Sequence, residues 1–252
     1  LVRRAGEGLG EEDGSVAHEA IFNTEQGRGE FRCLSTQQGY SPFTTWTRGL
    51  AWVMLGYAEL LEFLETVDDS ALEPLGGRRD IAGMMLEAAQ ASCDFYIETT
   101  PSDGIPYWDT GAPGLAKMPG HREQPADPHN DHEPVDSSAA AIACQGLVRL
   151  GRVLESTDPA AAQQYTLAGL TTLATLLEAP YLSTDPDHQG LLLHAVYHRP
   201  NSWDHVPKGS KIPRGESCLW GDYHLREAAV YVGRLAQEQD HSFFGAEAGE
   251  AS

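Results

Sequence analysis

Residues 44–66 read TTWTRGLAWVMLGYAELLEFLET, and their pattern sets the fold class. Trp46, Leu50, Met54, Tyr57, Leu61 and Leu64 recur at the spacing of one helix face. Trp52, Leu55, Leu60 and Phe63 mark a second apolar face, so this helix is expected to be buried on both. The next helix, Arg79 to Glu98, differs. Ile81, Met84, Met85, Ala88, Phe95 and Tyr96 form one stripe, with Arg79, Asp80, Glu87, Gln90 and Asp94 off it, as for a helix on the outside.

The inner-and-outer pair recurs. A nearly uncharged helix opens at Asp136-Ser137-Ser138, natural N-caps, and runs to Glu155. Its partner starts at Asp158-Pro159, a cap followed by proline at the first helical position, and ends near Ala179-Pro180. A third inner-type helix is expected from Gly221-Asp222 to Gln237. Each inner helix is preceded by a glycine turn and a short extended run: Asp13-Gly14-Ser15-Val16-Ala17-His18, Asp103-Gly104-Ile105-Pro106-Tyr107-Trp108 and Gln189-Gly190-Leu191-Leu192-Leu193-His194. The period is about ninety residues, and stacked helical hairpins of this kind form solenoids or closed toroids. Long polar loops before each inner helix gather at one end of such a scaffold, where a binding site is expected. The expected fold is all-α, with the three inner helices opening toward that end.

Composition bounds the function. Of 252 residues, 41% are hydrophobic and five are Trp, ample for a core. No apolar run is long enough to span a membrane. Acidic residues outnumber basic ones 37 to 17, a net charge of −20 that repels phosphate backbones and excludes nucleic acid as a partner. Cys33, Cys93, Cys144 and Cys218 show no CxxC spacing; they read as four small apolar residues in a reducing compartment, and cytoplasmic localisation is expected. His121, Asp127, His129, Asp131 and His132 fit no standard zinc spacing and lie in a proline-rich loop, so neither metal nor other cofactor is expected.

One segment is more specific. Gln37-Gln38-Gly39-Tyr40, a short spacer, then Thr45-Trp46-Thr47-Arg48-Gly49-Leu50-Ala51-Trp52 resembles glycoside hydrolase family 88, which contains the unsaturated glucuronyl hydrolases. Four further segments agree in order: Asp13-Gly14-Ser15 with His18; Pro106-Tyr107-Trp108-Asp109; Asp136 to Ile142; and Leu219-Trp220-Gly221-Asp222-Tyr223. The resemblance covers residues 1–237, read as the C-terminal part of one α/α-barrel domain, with 238–252 a flexible tail. It implies a toroid of six α-hairpins, incomplete here because the chain begins inside a repeat and the N-terminal hairpins are missing. It implies hydrolysis of a 4,5-unsaturated uronic acid from the non-reducing end of an oligosaccharide made by a polysaccharide lyase. In that family an aspartic acid protonates C4 of the vinyl ether, water adds at C5, and the resulting hemiketal opens.

Candidate substrate-binding residues follow. Arg48, early in an otherwise apolar helix, needs an anionic or carbonyl partner: the substrate carboxylate, the catalytic acid, or a neighbouring structural acid. Trp46 either stacks on a sugar ring or packs in the core. Gln38 is a candidate sugar-hydroxyl partner in a turn. His18 and the pair Tyr197-His198 match pocket residues of the family. Ser217 lies in a loop, with Ser210 and Lys211, where some relatives recognise a sulfate. Asp136 reads first as an N-cap and second as a catalytic acid, and Asp222 shares that ambiguity. No residue here matches the family's two catalytic aspartates, which are expected upstream of Leu1, so the chain alone is expected to be inactive. The competing expectations are a rhamnogalacturonyl-type hydrolase on the same fold and a non-catalytic helical carbohydrate-binding fragment.

Overall fold

The structure is a computed structural model that describes residues 2–4, 12–25, 28–239 and 244. Most of the expected tail, 240–243 and 245–252, lies outside these residues. Two antiparallel strand pairs come first: β1 (Val2–Arg4) with β2 (Glu12–Val16), and β3 (Glu19–Phe22) with β4 (Phe31–Ser35). Six helices follow among the described residues: α1 (Thr47–Leu64), α2 (Asp69–Leu72), α3 (Arg78–Thr99), α4 (Ser137–Leu154), α5 (Pro159–Leu176) and α6 (Leu219–Ala236). The fold is therefore mostly helical, as expected, with two small sheets added before α1.

The inner helices α1, α4 and α6 lie side by side, α4 in the middle; α3 backs α1 and α5 backs α4. They run in one direction. At their N-terminal ends Arg48 of α1 bonds Asp136 and Ser138 at the start of α4, and Ser138 accepts a hydrogen bond from Trp220 of α6. At their C-terminal ends Glu62 of α1 pairs with Arg149 of α4, whose guanidinium lies over Tyr231 of α6. The result is an arc of an α/α toroid with one end shared by all three helix starts. The middle helix has neighbours on three sides, so nearly every α4 residue is buried, which explains its near-absence of charge.

Asp136 caps α4, accepting from the Ser138 and Ala139 amides, and Asp158 caps α5 through Ala161, ahead of Pro159. Other expectations change. The α6 helix starts at Leu219, after Cys218, so Asp222 is no cap; both its oxygens accept from the Leu191 and Leu192 amides. The α1 helix starts at Thr47 rather than Thr44. On its second face only Leu55 is buried, whereas Trp52, Leu60 and Phe63 are exposed, because that side meets little beyond Phe244 and His224 among the described residues. Met84 is also exposed rather than part of the α3 stripe, where Ala88 and Tyr96 are buried as expected and Ala89, Ser92 and Cys93 are buried with them. Cys33 is exposed on β4; all four cysteines are free.

Two of the three glycine turns support the repeat, whereas Gly190 of the third has no positive φ and lies against Ser217 rather than an outer helix. Gly14 and Gly104 both have positive φ, +72° and +81°, and each sits against the outer helix of its unit. A Cβ on Gly14 would overlap the Ala91 carbonyl of α3; one on Gly104 would overlap Thr172 of α5. An Asp two residues before Ser15 and Ile105 accepts each of those amides. Gly104→Ala should therefore destabilise the chain by about 2–4 kcal/mol, from left-handed strain plus overpacking, measured as a shift of the urea midpoint. An unchanged midpoint would remove the turn from the fold's framework.

Candidate functional site

The shared end of the inner helices is organised around Arg48. It occupies the first turn of α1 and is 3% exposed. Nη1 donates to Asp136 Oδ2 at 3.0 Å, to Ser138 Oγ at 3.4 Å and to the Val196 carbonyl; Nη2 donates to the Tyr197 carbonyl at 2.8 Å and to Gln38 Oε1 at 3.2 Å. The guanidinium lies 4.8 Å from the Trp46 ring centroid and 5.0 Å from that of Trp220, one aromatic from α1's start and one from α6's. Cation–π contacts in a dry setting are worth about 2 kcal/mol or more. Asp136 is fully buried, and its Oδ1 also accepts from Ser138 Oγ at 2.6 Å and the Val196 amide at 3.4 Å. One carboxylate thus caps α4, holds Arg48 and anchors the 196–197 backbone.

The loops bring the remaining candidates to this hub. Thr45 Oγ1 bonds both the amide and the carbonyl of Val16, placing the end of β2 beside the start of α1. His18 then lies 4.7 Å, ring to ring, from Trp46, with Nδ1 3.1 Å from Thr36 Oγ1. Burial holds the His18 imidazole below its ordinary value, with Arg48 and His198 adding to the effect against Glu19. The turn that carries Gln38 is pinned by buried Asp109, which accepts the Tyr40 amide at 2.8 Å and the Gly111 amide at 2.9 Å. Because Arg48 can only donate, the Gln38 oxygen faces it and the amide NH2 is left to donate elsewhere.

Tyr197 stands exposed, stacked at 5.7 Å on Trp203 and 5.5 Å from Trp220. His198 lies 4.8 Å from Trp203. Asp204 fixes both by accepting the Tyr197 and His198 amides. So His18, Gln38, Tyr197 and His198 gather around one hub, with Trp46 and Arg48 buried beneath them. Ser217 sits at its edge: its hydroxyl donates to the Leu192 carbonyl at 2.7 Å, and it lines a cavity of about 320 Å³ together with Tyr197, Trp203 and Trp220. Trp203, Asp204 and Trp220 were not among the sequence candidates. Trp220 carried a signal, since it lies in one of the segments that match the family; Trp203 and Asp204 carried none.

The histidine-rich loop is used structurally. His121 Nδ1 lies 2.9 Å from the Met118 carbonyl, Asp127 accepts the His129 amide, and Asp131 pairs with Lys211. His129 packs edge-on to His194 at 5.2 Å. His194 is buried and left-handed, with φ +68°, just before the Tyr197 loop. Burial first, then His129 and Arg214, lower its imidazole to about 4. Stability linked to His194 is therefore complete above its unfolded value near 6.5 and is lost as pH falls from there toward 4. The loss should reach about 3 kcal/mol, and His194→Asn, which tolerates φ > 0, should remove that share. Denaturant midpoints of both chains between pH 4 and 7 check this; parallel pH curves would contradict it.

With the geometry in place, comparison with known proteins gives its meaning. No family model matches the chain. It is 28% identical over 225 residues to the unsaturated glucuronyl hydrolase of Bacillus sp. strain GL1, covering 88% of this chain and 48% of that protein. It is also 28% identical over 222 residues to the unsaturated chondroitin disaccharide hydrolase of Streptococcus agalactiae serotype III strain NEM316, covering 87% and 44%. The crystal structure of the Bacillus sp. GL1 enzyme superposes with a TM-score of 0.60 at 29% identity, over 88% of this chain and 48% of that one. In sequence and in fold, most of the chain is similar to unsaturated glucuronyl hydrolases. The Streptococcus agalactiae unsaturated glucuronyl hydrolase shares the fold at a TM-score of 0.62 and 24% identity. The chain spans about half the length of the curated unsaturated glucuronyl hydrolases it matches.

Proposed function

We propose that this chain forms the substrate-holding wall of a hydrolase that removes 4,5-unsaturated uronic acid from the non-reducing end of lyase-generated oligosaccharides. The observation that carries the reading is the hub itself: Arg48, clamped between Trp46 and Trp220, fixes Gln38 and the Tyr197 backbone beside His18. Both Nη nitrogens of Arg48 donate to protein acceptors, so it acts by positioning. The groups left to meet a sugar are the Gln38 amide NH2, the His18 and His198 rings and the exposed Tyr197 face. Amide and imidazole donors suit a carboxylate and hydroxyls; an aromatic face suits the CH side of a sugar ring. The reaction is hydration of the vinyl ether: a carboxylic acid protonates C4, water adds at C5, and the hemiketal opens. The acid is not assigned within this chain.

The reading is tested by binding. An unsaturated glucuronyl disaccharide, titrated into the chain and followed by tryptophan fluorescence, should saturate, and Tyr197→Ala should weaken it about tenfold through the lost stacking face. A saturated disaccharide that binds as tightly, or a Tyr197→Ala chain that binds unchanged, would defeat it.

A further inference from the structure

The β3–β4 pair places one hydroxyl between two of the groups left to meet a sugar. Glu19 pairs with Ser35, so His18 and Thr36 face each other one step beyond the last pair of that ladder. Thr36 Oγ1 lies 3.1 Å from His18 Nδ1 and accepts the Gly39 amide at 2.8 Å. The close approach depends on glycine: a Cβ at Gly39 would come within 2.8 Å of that hydroxyl and 3.1 Å of both Asp109 Oδ2 and the Trp46 Cβ. The Gln37 amide donates to the same His18 Nδ1 at 3.3 Å. Thr36 thus ties the His18 ring to the turn that carries Gln38.

The donors settle where the ring's proton sits. A backbone N–H can only donate, so Nδ1 is an acceptor and carries no proton. The Gly39 amide takes a lone pair of the Thr36 oxygen, which leaves the hydroxyl proton to point at Nδ1. Burial, with Arg48 and His198 adding to it against Glu19, holds the imidazole below its ordinary value, so the ring is neutral at neutral pH. Its single proton is then on Nε2. Among the described residues Nε2 has no hydrogen-bond partner, and it lies on the ring edge turned away from Thr36.

Resting on the reading proposed above, we infer that Thr36 is a positioning residue of the sugar site: it holds His18 in the Nε2–H tautomer, so that the ring offers the sugar a donor rather than an acceptor. The Gln38 NH2 is a donor too, because Arg48 takes the Gln38 oxygen. Thr36 couples the two, holding the ring through its proton and the Gln38 turn through its lone pair.

The test uses the full chain. Long-range nitrogen–proton NMR, at a pH above the ordinary imidazole value of 6.5, should show His18 protonated on Nε2. Thr36→Val keeps the shape and removes the hydroxyl. It should let an Nδ1–H population appear and weaken calorimetric binding of an unsaturated glucuronyl disaccharide about tenfold. Thr36→Ser restores the hydroxyl and should return the tautomer, with the affinity within about twofold. In a His18→Ala background Thr36→Val should cost about threefold or less, the share that acts through Gln38. The tautomer of the unmodified chain decides the matter even where Thr36→Val folds poorly. His18 protonated on Nδ1, a Thr36→Val chain that binds as tightly as its parent, or an equal loss with and without His18 overturns this inference and leaves the parent reading standing. Failure of the unmodified chain to bind the disaccharide overturns the two together.

Discussion

Asp136→Ala is expected to cost about 3–5 kcal/mol, the largest stability loss of any single substitution at this end of the molecule. The residue is fully buried and carries three tasks at once. Its side chain caps α4 through the Ser138 and Ala139 amides, worth about 1 kcal/mol alone. It neutralises Arg48, 3% exposed, which would otherwise be an uncompensated buried charge. It also accepts the Val196 amide, so its removal frees the loop that carries Tyr197. These effects share partners and will not add independently. The discriminating comparison is Asp136→Asn, whose single oxygen can keep the cap while an NH2 replaces the oxygen that accepts from Arg48 and the charge is lost. It should lose less than alanine, and Arg48→Ala combined with Asp136→Ala should cost less than the sum of the two singles. Urea unfolding of the parent chain and the four variants measures this. A loss near 1 kcal/mol for Asp136→Ala would reduce the residue to an ordinary cap.

The second large effect concerns turnover. The chain as given should show no loss of the conjugated double bond's ultraviolet absorbance with an unsaturated disaccharide, beyond the rate in buffer. A positioned general acid contributes about 10²–10⁴-fold, and vinyl-ether hydration starts with proton delivery to carbon. Four aspartates at this end are engaged elsewhere. Asp109 is fully buried, holds the Tyr40 and Gly111 amides, and burial raises its carboxyl above the usual range. Asp136 is spent on Arg48 and the α4 cap. Asp204 holds the Tyr197 and His198 amides, and Asp222 holds those of Leu191 and Leu192. Robust turnover would make one of Asp109, Asp136 or Asp222 the acid and would displace the structural role given to it here.

Much of the scaffold was legible because its causes are local. The apolar periodicity of α1, the caps at Asp136 and Asp158, and glycines forced to positive φ beside an outer helix all act within one turn or one repeat. What escaped depends on distant partners. The Arg48–Asp136 pair joins residues 88 apart, and nothing in either segment distinguishes a protein carboxylate from a substrate carboxylate as the partner. Trp203 and Asp204 follow a left-handed Ser202, so the loop's path back to Tyr197 is set by backbone geometry that no hydrophobic pattern encodes. Asp222 misled as a cap because the true start, Leu219, follows Cys218, a residue with no capping preference. The second face of α1 misled for a different reason: apolar periodicity reports what a helix can bury, not whether described neighbours cover Trp52, Leu60 and Phe63.

The measurement that bears most directly on the account is a nitrogen–proton NMR titration of the chain with an unsaturated glucuronyl disaccharide. The account predicts saturable shifts of the Trp220 and Trp203 indole and Gln38 side-chain amide resonances, with the amides of residues 90–99 on outer helix α3 unmoved. Shifts confined to the outer helices, or none at these side chains at saturating sugar, would contradict the claim that this end of the inner helices is the sugar-binding wall.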